Sequence, residues 1–533
     1  MNDPTRREVL RLLTLAGALP MATHALPGLA AEQAPRRGGL VVLGTDQKPR
    51  HLNPAVQSGL ATIMPGAQLF ATPLRFDAQW QPHPYLAEQW AFADDGRSIT
   101  LKLRKNAVFH DGKPITADDL AYSVKIVREN HPFKSMFEPV TRVDTPDAHT
   151  AVIHLSHPHP ALLLAMSTGL LPVIPKHLFD DGQDPKKHSL NSQPVGSGPF
   201  KLVEFKPGQH IIMERHDKFF LEGRPYLDRL IIKHYADTAS IMLAIEKGEI
   251  DVHPYITNGV DIARMKKASN VTVHGGAAPA LGPLIWVAFN LEHPVLGDKR
   301  VRHAIAHAID RQAVVTNLYQ DGPNVATGPI SVYSPFYTKE VPQFPPDIDK
   351  AKKILADAGY KTDGSDERLR FRMDWIPSAV YKTLAEYTKP QLARIGITIE
   401  LRNAPDFPTW ARRVSGYDFD LCIDSAWNWG DPVIGVHRTY LSDNIRKGVI
   451  WSNTQQYRSE RADALMAAAG MEMNADRRRE LYAEFQALIA DDMPVLPVME
   501  TNVHLATVAR VGNLPLTIWG AMGPMDEMFV KDA

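Results

Sequence analysis

The stretch WNWGDP, Trp427 to Pro432, sets two indole rings around an amide and follows them with a carboxylate and a turn-forming proline. Indole faces stack on sugar or heteroaromatic rings and embrace cations at ~0.5–2 kcal/mol each, and a nearby amide or carboxylate can fix a polar group on the same ligand. Trp427, Asn428, Trp429 and Asp431 are therefore the candidate ligand shell. Alternation along a strand puts both rings on one side and the amide on the other, so all three share a cavity only where the strand has ended. Gly430 and Pro432 permit such an ending. Arg412, beside Arg413 in TWARRVSGYD, is a candidate to hold a ligand carboxylate bidentately, against the commoner alternative of a solvated helix face. Trp286 and Asn290 are weaker candidates.

Other reactive side chains are weighed the same way. His154, His157 and His159 cluster in IHLSHPHP, His303 and His307 are spaced i, i+4, and His437 follows the indole pair. Helical phasing puts Val301, Ile305 and Ile309 on the core side, which leaves His303 and His307 on the opposite, solvent-facing side. A metal centre needs a closed ligand set with supporting partners, so no metal site is assigned. The single cysteine, Cys422, sits in the apolar run FDLCIDS, where an inert buried thiol is the common case, and it excludes an intramolecular disulfide. No G-x-S-x-G, H-E-x-x-H or serine–lysine lactamase signature is present, and Asp94 with Asp95 reads as a turn before Gly96. PVGSGPF lacks the lysine and hydroxyl of a phosphate loop, so Gly196 and Gly198 are read as architectural. No catalytic residue and no cofactor is assigned.

The elements that must position these residues are mixed α/β. At 533 residues the chain needs at least two lobes. A net charge of −1, from 59 basic and 60 acidic residues, gives no bulk attraction to nucleic acid or an anionic membrane. TRREVLRLL places Arg6 and Arg7 before an apolar stretch, Leu12 to Ala25, with small residues following in GLAAE. This resembles a twin-arginine export signal with cleavage just after Ala30 or Ala31, and the apolar stretch is too short for a membrane span. LVVLGT reads as a buried strand. Ile99, Leu101 and Leu103 alternate along a half-buried one, and Thr116 with Asp119 forms a capping box before a helix carrying Leu120, Val124 and Val127. Helices are expected after Asp298, Asp347 and Asn474, with GITIEL extended between them, so that a second lobe fits Leu291 to about Asp492.

Three segments carry a more specific resemblance: PLRFDAQWQPHPYLAEQWAFADDGRSITLKLRKNAVFHDGKPITADDLAYS; PVGSGPFKLVEF with ERHDKFFLEGRPYLDRL and AIEKGEIDV; and VAFNLEHPVLGDKRVRHAIAHAIDR. In this order they resemble family 5 of the extracytoplasmic solute-binding proteins, which serve peptide-type ABC importers and include dipeptide-, oligopeptide- and nickel-binding members. The resemblance implies an α/β, two-lobed periplasmic-binding-protein fold of type II, the large peptide-binding type. Residues 1–31 would be the export signal and 32–288 the N-terminal lobe, with an extra subdomain over about 72–190. Residues 289–493 would form the C-terminal lobe and 494–533 a return segment completing the first, with linking strands near LIWVAFN and PVLPVMETN.

It also implies a function: capture of a peptide or peptide-like small molecule between the lobes, closure on it, and delivery to an inner-membrane ABC permease. The chain is expected to be a periplasmic monomer without a lipid anchor, since no cysteine lies near the cleavage site, and to bind no nucleic acid. Aligning Asp431 and Pro432 with the family's acidic-Pro pair puts Asn428 where peptide binders carry the Asp that neutralises a ligand ammonium. An amide supplies no charge, and charge-assisted hydrogen bonds are about twice as strong as neutral ones. Either Asp431 replaces that charge, or the ligand lacks a free amine, as an opine-like or glycosidic conjugate or a metal-chelator complex does. A hydrolase or a chaperone is the most distant alternative.

Overall fold

The computed structural model describes residues 35–320, 322–360 and 369–531. The expected export signal lies outside them. LVVLGT forms the strand Leu40–Thr45, paired in parallel with Arg229–His234 and, at Leu43, with Val252. It is central in a seven-stranded sheet, ordered Val271–His274, His504–Val508, Val252–Ile256, Leu40–Thr45, Arg229–His234, His210–Arg215, Phe200–Lys206. The late strand His504–Val508 sits between two early ones, so the chain returns to the first lobe after building the second.

The second lobe is organised by a six-stranded sheet, ordered Asn324–Val325, Val495–Glu500, Pro283–Phe289, Leu421–Trp427, Leu369–Trp375, Ile397–Leu401. All seven residues of Pro283–Phe289 are buried because the sheet is covered on both faces: Ile285, Val287 and Phe289 enter one core, Leu284, Trp286 and Ala288 the other. Trp286 is thus a core residue, and Asn290 donates to the carbonyls of Tyr417 and Phe419, which corrects both weaker candidates. The runs expected to link the lobes are inner strands of this sheet, and a division at 288/289 would cut one of them. The chain passes between the two large sheets over residues 275–282 and 501–503.

A four-stranded antiparallel sheet, ordered Ala87–Phe92, Ser98–Leu103, Thr150–Leu155, Val140–Asp147, completes the first lobe beside the helix Ala117–Asn130. Ile99, Leu101 and Leu103 point into its core, and the capping box is formed: the Thr116 N–H donates to Asp119 Oδ2 at 2.9 Å. Gly196 and Gly198 allow two chain segments to touch. A Cβ on Gly196 would meet the Leu69 carbonyl oxygen at 1.8 Å, and one on Gly198 that of Gln68 at 2.4 Å.

Helix Lys299–Ala308 corrects the histidine phasing. His307 is buried and bonds the Pro345 carbonyl through Nδ1 at 2.7 Å, while half-buried His303 bonds that of Asp491. Both rings lie against Phe344, so the side opposite Val301 and Ile305 is covered as well.

Candidate functional site

Strand Leu421–Trp427 runs toward the first lobe and ends in a sharp turn. Beyond it, the Asn428 N–H donates to the Leu281 carbonyl at 2.9 Å and the Gly430 N–H to that of Ala280 at 2.6 Å. This fixes the stretch to one of the two passages between sheets. Trp429 (φ 51°) and Gly430 (φ 81°) are both left-handed, which is uncommon for a bulky residue and costs of order 1–3 kcal/mol. A Cβ on Gly430 would meet Leu164 at 2.4 Å, so the turn also needs a close approach to the first lobe.

The turn brings the two indoles together, with ring centroids 6.1 Å apart and planes 26° from parallel. They face a cavity of about 510 Å³ whose wall is drawn from both lobes: Gln47, Ser58, Leu60, Phe133 and Tyr255 from the first, Trp427, Trp429, Arg438 and Trp451 from the second. A second cavity of about 350 Å³ adjoins it through Tyr255 and Trp427 and continues along Asn258, Tyr319, Tyr381, Ser425 and Thr501. Together they form one aromatic interlobe cleft. Trp427 is half-buried and borders both parts, whereas Trp429 is a back wall, packed against Phe133 at 4.9 Å and Trp519 at 6.3 Å.

The other candidate residues are not brought to this cleft. Although the strand has ended, Asn428 does not join the indoles: its Oδ1 accepts from the Ser331 N–H at 2.6 Å and its Nδ2 donates to the Pro329 carbonyl. Beside it, buried Glu500 accepts from the Ser331 hydroxyl and, at 2.9 Å, from the Val332 N–H. Burial pushes the Glu500 pKa up to about 7 against these bonds. Asp431 is buried with both oxygens on Arg478, at 2.8 Å each, and caps the short helix Pro432–Gly435 through the Val433 N–H. Burial alone would raise its pKa, but the guanidinium overrides that and holds it below the usual carboxylate range. A carboxylate so held cannot swing out as a counter-ion, which corrects that expectation. Arg412 is exposed and borders neither cavity, and Arg413 bonds buried Asp374 and the Asn403 carbonyl.

The candidate histidines each have separate partners, His157 bonding the Ser156 hydroxyl. His154 bonds Asp144, His159 the Met136 carbonyl, and buried His437 the Tyr482 hydroxyl. Cys422 is buried, and burial raises its pKa well above the ordinary thiol value. Sequence reasoning missed Arg438, Phe133, Tyr255 and Trp451. Of these Arg438 carries charge. Its guanidinium lies 5.1 Å from the centre of the Phe133 ring, and burial brings its pKa down to about 10 although Asp424 opposes this. Asp424 is itself pushed up to about 7 by burial.

Comparison with known proteins adds what geometry cannot. The family model described as bacterial extracellular solute-binding proteins, family 5 Middle, matches residues 81–448. Oligopeptide-binding protein AppA of Bacillus subtilis is 26% identical over 530 residues, covering 94% of this chain and 95% of the relative. Heme-binding protein A of Haemophilus influenzae is 28% identical over 448 residues, 78% of each chain. The structure of Bacillus subtilis AppA in complex with a nonapeptide superposes with a TM-score of 0.77 at 25% identity, over 94% of this chain and 100% of that one. Among the described residues no helix is long and apolar enough to cross a membrane.

Proposed function

This chain belongs to the bacterial extracellular solute-binding proteins, family 5, and on that premise we propose that its interlobe cleft captures a peptide or peptide-like solute and presents it, lobes closed, to an ABC permease. It is a transport component and not an enzyme. The observation that carries the cleft assignment is the wall itself. Tyr255 of the first lobe and Trp427 of the second border both cavities, so a ligand there touches both lobes at once and stabilises their closed arrangement. A peptide-like ligand is supported by the two adjoining cavities, of about 350 and 510 Å³, and by the likeness to a relative that holds a nonapeptide.

The finer reading is a periplasmic monomer exported through Arg6 and Arg7, with Trp427 and Trp429 in the ligand shell. Changing both arginines to lysine blocks export if that signal operates, read as loss of the periplasmic form by cell fractionation. Capture itself is tested by native mass spectrometry of protein purified from periplasm without refolding, followed by denaturation to release and identify a bound compound. A retained peptide-sized mass is expected. Absence of any retained compound, together with failure of every probe to bind, removes the cleft reading.

A further inference from the structure

The charge on the cleft wall is one-sided. Among the described residues, those lining the larger cavity include one guanidinium, Arg438, and no carboxylate, and those lining the adjoining cavity carry no charge. Asp46, next in the chain to the lining Gln47, borders neither cavity and accepts from the Gln47 amide at 2.9 Å. Asn428 and Asp431 are bound within the protein. A ligand ammonium entering this cleft therefore meets rings and amides and, among the described lining residues, no counter-ion.

Arg438 has the opposite character. Among the described residues it forms no salt bridge, and its one side-chain hydrogen bond runs from Nε to the Gly435 carbonyl at 3.3 Å. The two terminal nitrogens, the fork that matches a carboxylate, have no hydrogen-bond partner among the described residues, and the side chain lines the cavity. Asp424 acts on it through space without forming an ion pair, and accepts from the Ser425 N–H. Burial of an unpaired charge is costly, and arginine does not relieve that cost by losing its proton near neutral pH. The ring of Phe133 from the facing lobe lies against both the guanidinium, at 5.1 Å, and Trp429, at 4.9 Å.

We propose that the cleft selects organic anions carrying a planar ring and lacking a free ammonium, with the Arg438 fork binding the ligand's carboxylate while the ring packs on the indole wall of Trp427, which Trp429 backs. This rests on the cleft-capture reading above. Calorimetry with three probes of one scaffold separates the two: N-acetyl-diphenylalanine, an anion; its C-terminal amide, neutral; and diphenylalaninamide, a free-amine cation. The anion should bind at least tenfold more tightly than the amide, with the cation weakest. Arg438→Gln should abolish the anion's advantage while leaving the amide's affinity within twofold, and Arg438→Lys should restore part of it. Equal or tighter binding of the amide or the cation overturns the proposal, as does an anion preference that survives Arg438→Gln, and either result leaves cleft capture standing. Should none of the three bind, the compound released from the periplasmic protein decides: an anion without a free amine supports the proposal and an ammonium-bearing compound overturns it. With no probe bound and no compound released, cleft capture and this inference fall together.

Discussion

Arg478 and Arg438 belong to the same lobe and both lie against aromatic rings, Arg478 over Phe336 at 4.7 Å and Arg438 over Phe133 at 5.1 Å. They differ in their anions. Arg478 has both oxygens of Asp431 at 2.8 Å, whereas Arg438 has no carboxylate in ion-pair distance among the described residues. The first pair is closed: its charges satisfy each other, cap a helix and hold the turn that carries the indoles. The second is open, and its partner must come from outside. Glu500 is the acidic counterpart of the open case. It is fully buried where Arg438 is half-buried, and has no cation in ion-pair distance among the described residues, but a carboxyl can take up a proton where a guanidinium keeps its own.

The strongest test of this contrast is Asp431→Asn, which strands Arg478 as a buried, uncompensated charge. It should cost about 3–5 kcal/mol in chemical denaturation, with a matching fall in Tm. A loss under 1 kcal/mol would mean that the pair is not closed. Glu500→Gln sharpens the same point through pH. A carboxyl with a raised folded pKa retains a proton that the unfolded chain has released, so its stabilisation is full below about 4.5 and lost as pH rises through about 7. Wild type should therefore lose on the order of 2–3 kcal/mol relative to Glu500→Gln across that window; parallel stability curves would place Glu500 among ordinary carboxylates. Trp427→Ala should weaken ligand binding by more than about 1 kcal/mol in calorimetry, because this ring borders both parts of the cleft. Arg438→Gln should move folding stability by about 1 kcal/mol at most, since no ion pair is broken. Arg412→Ala, on the exposed face, should stay within about 0.5 kcal/mol for both stability and affinity.

Local order was legible wherever a residue's role was set by its neighbours in the chain. Asp298, Asp347 and Asn474 each accept a hydrogen bond from the first turn of the helix expected after them, and the Thr116–Asp119 box is formed. The close approaches of Gly196 and Gly198 fit their architectural reading. The strand ending expected from Gly430 and Pro432 is present after Trp427, but Asn428 is kept from the cleft by its bonds to Ser331 and Pro329, which the local sequence does not announce. What sequence could not supply was long-range partnership. Nothing near Asp431 announces Arg478, 47 positions on. Helical phasing sent His307 to solvent because it does not know that Phe344 and Pro345 cover that face. Arg438 and Trp451 have no local pattern distinguishing them from any surface arginine or loop tryptophan, and become a cleft wall only when the lobes meet.

Trp429 is carried by the second lobe yet packs among the side chains of the first, between Phe133 and Trp519. Separation of the lobes must draw that indole out of an apolar setting into water. Its emission then shifts to longer wavelength as the cleft opens and back as it shuts, so the protein carries an unlabelled optical gauge of its own conformation, readable in stopped flow on the timescale of solute capture.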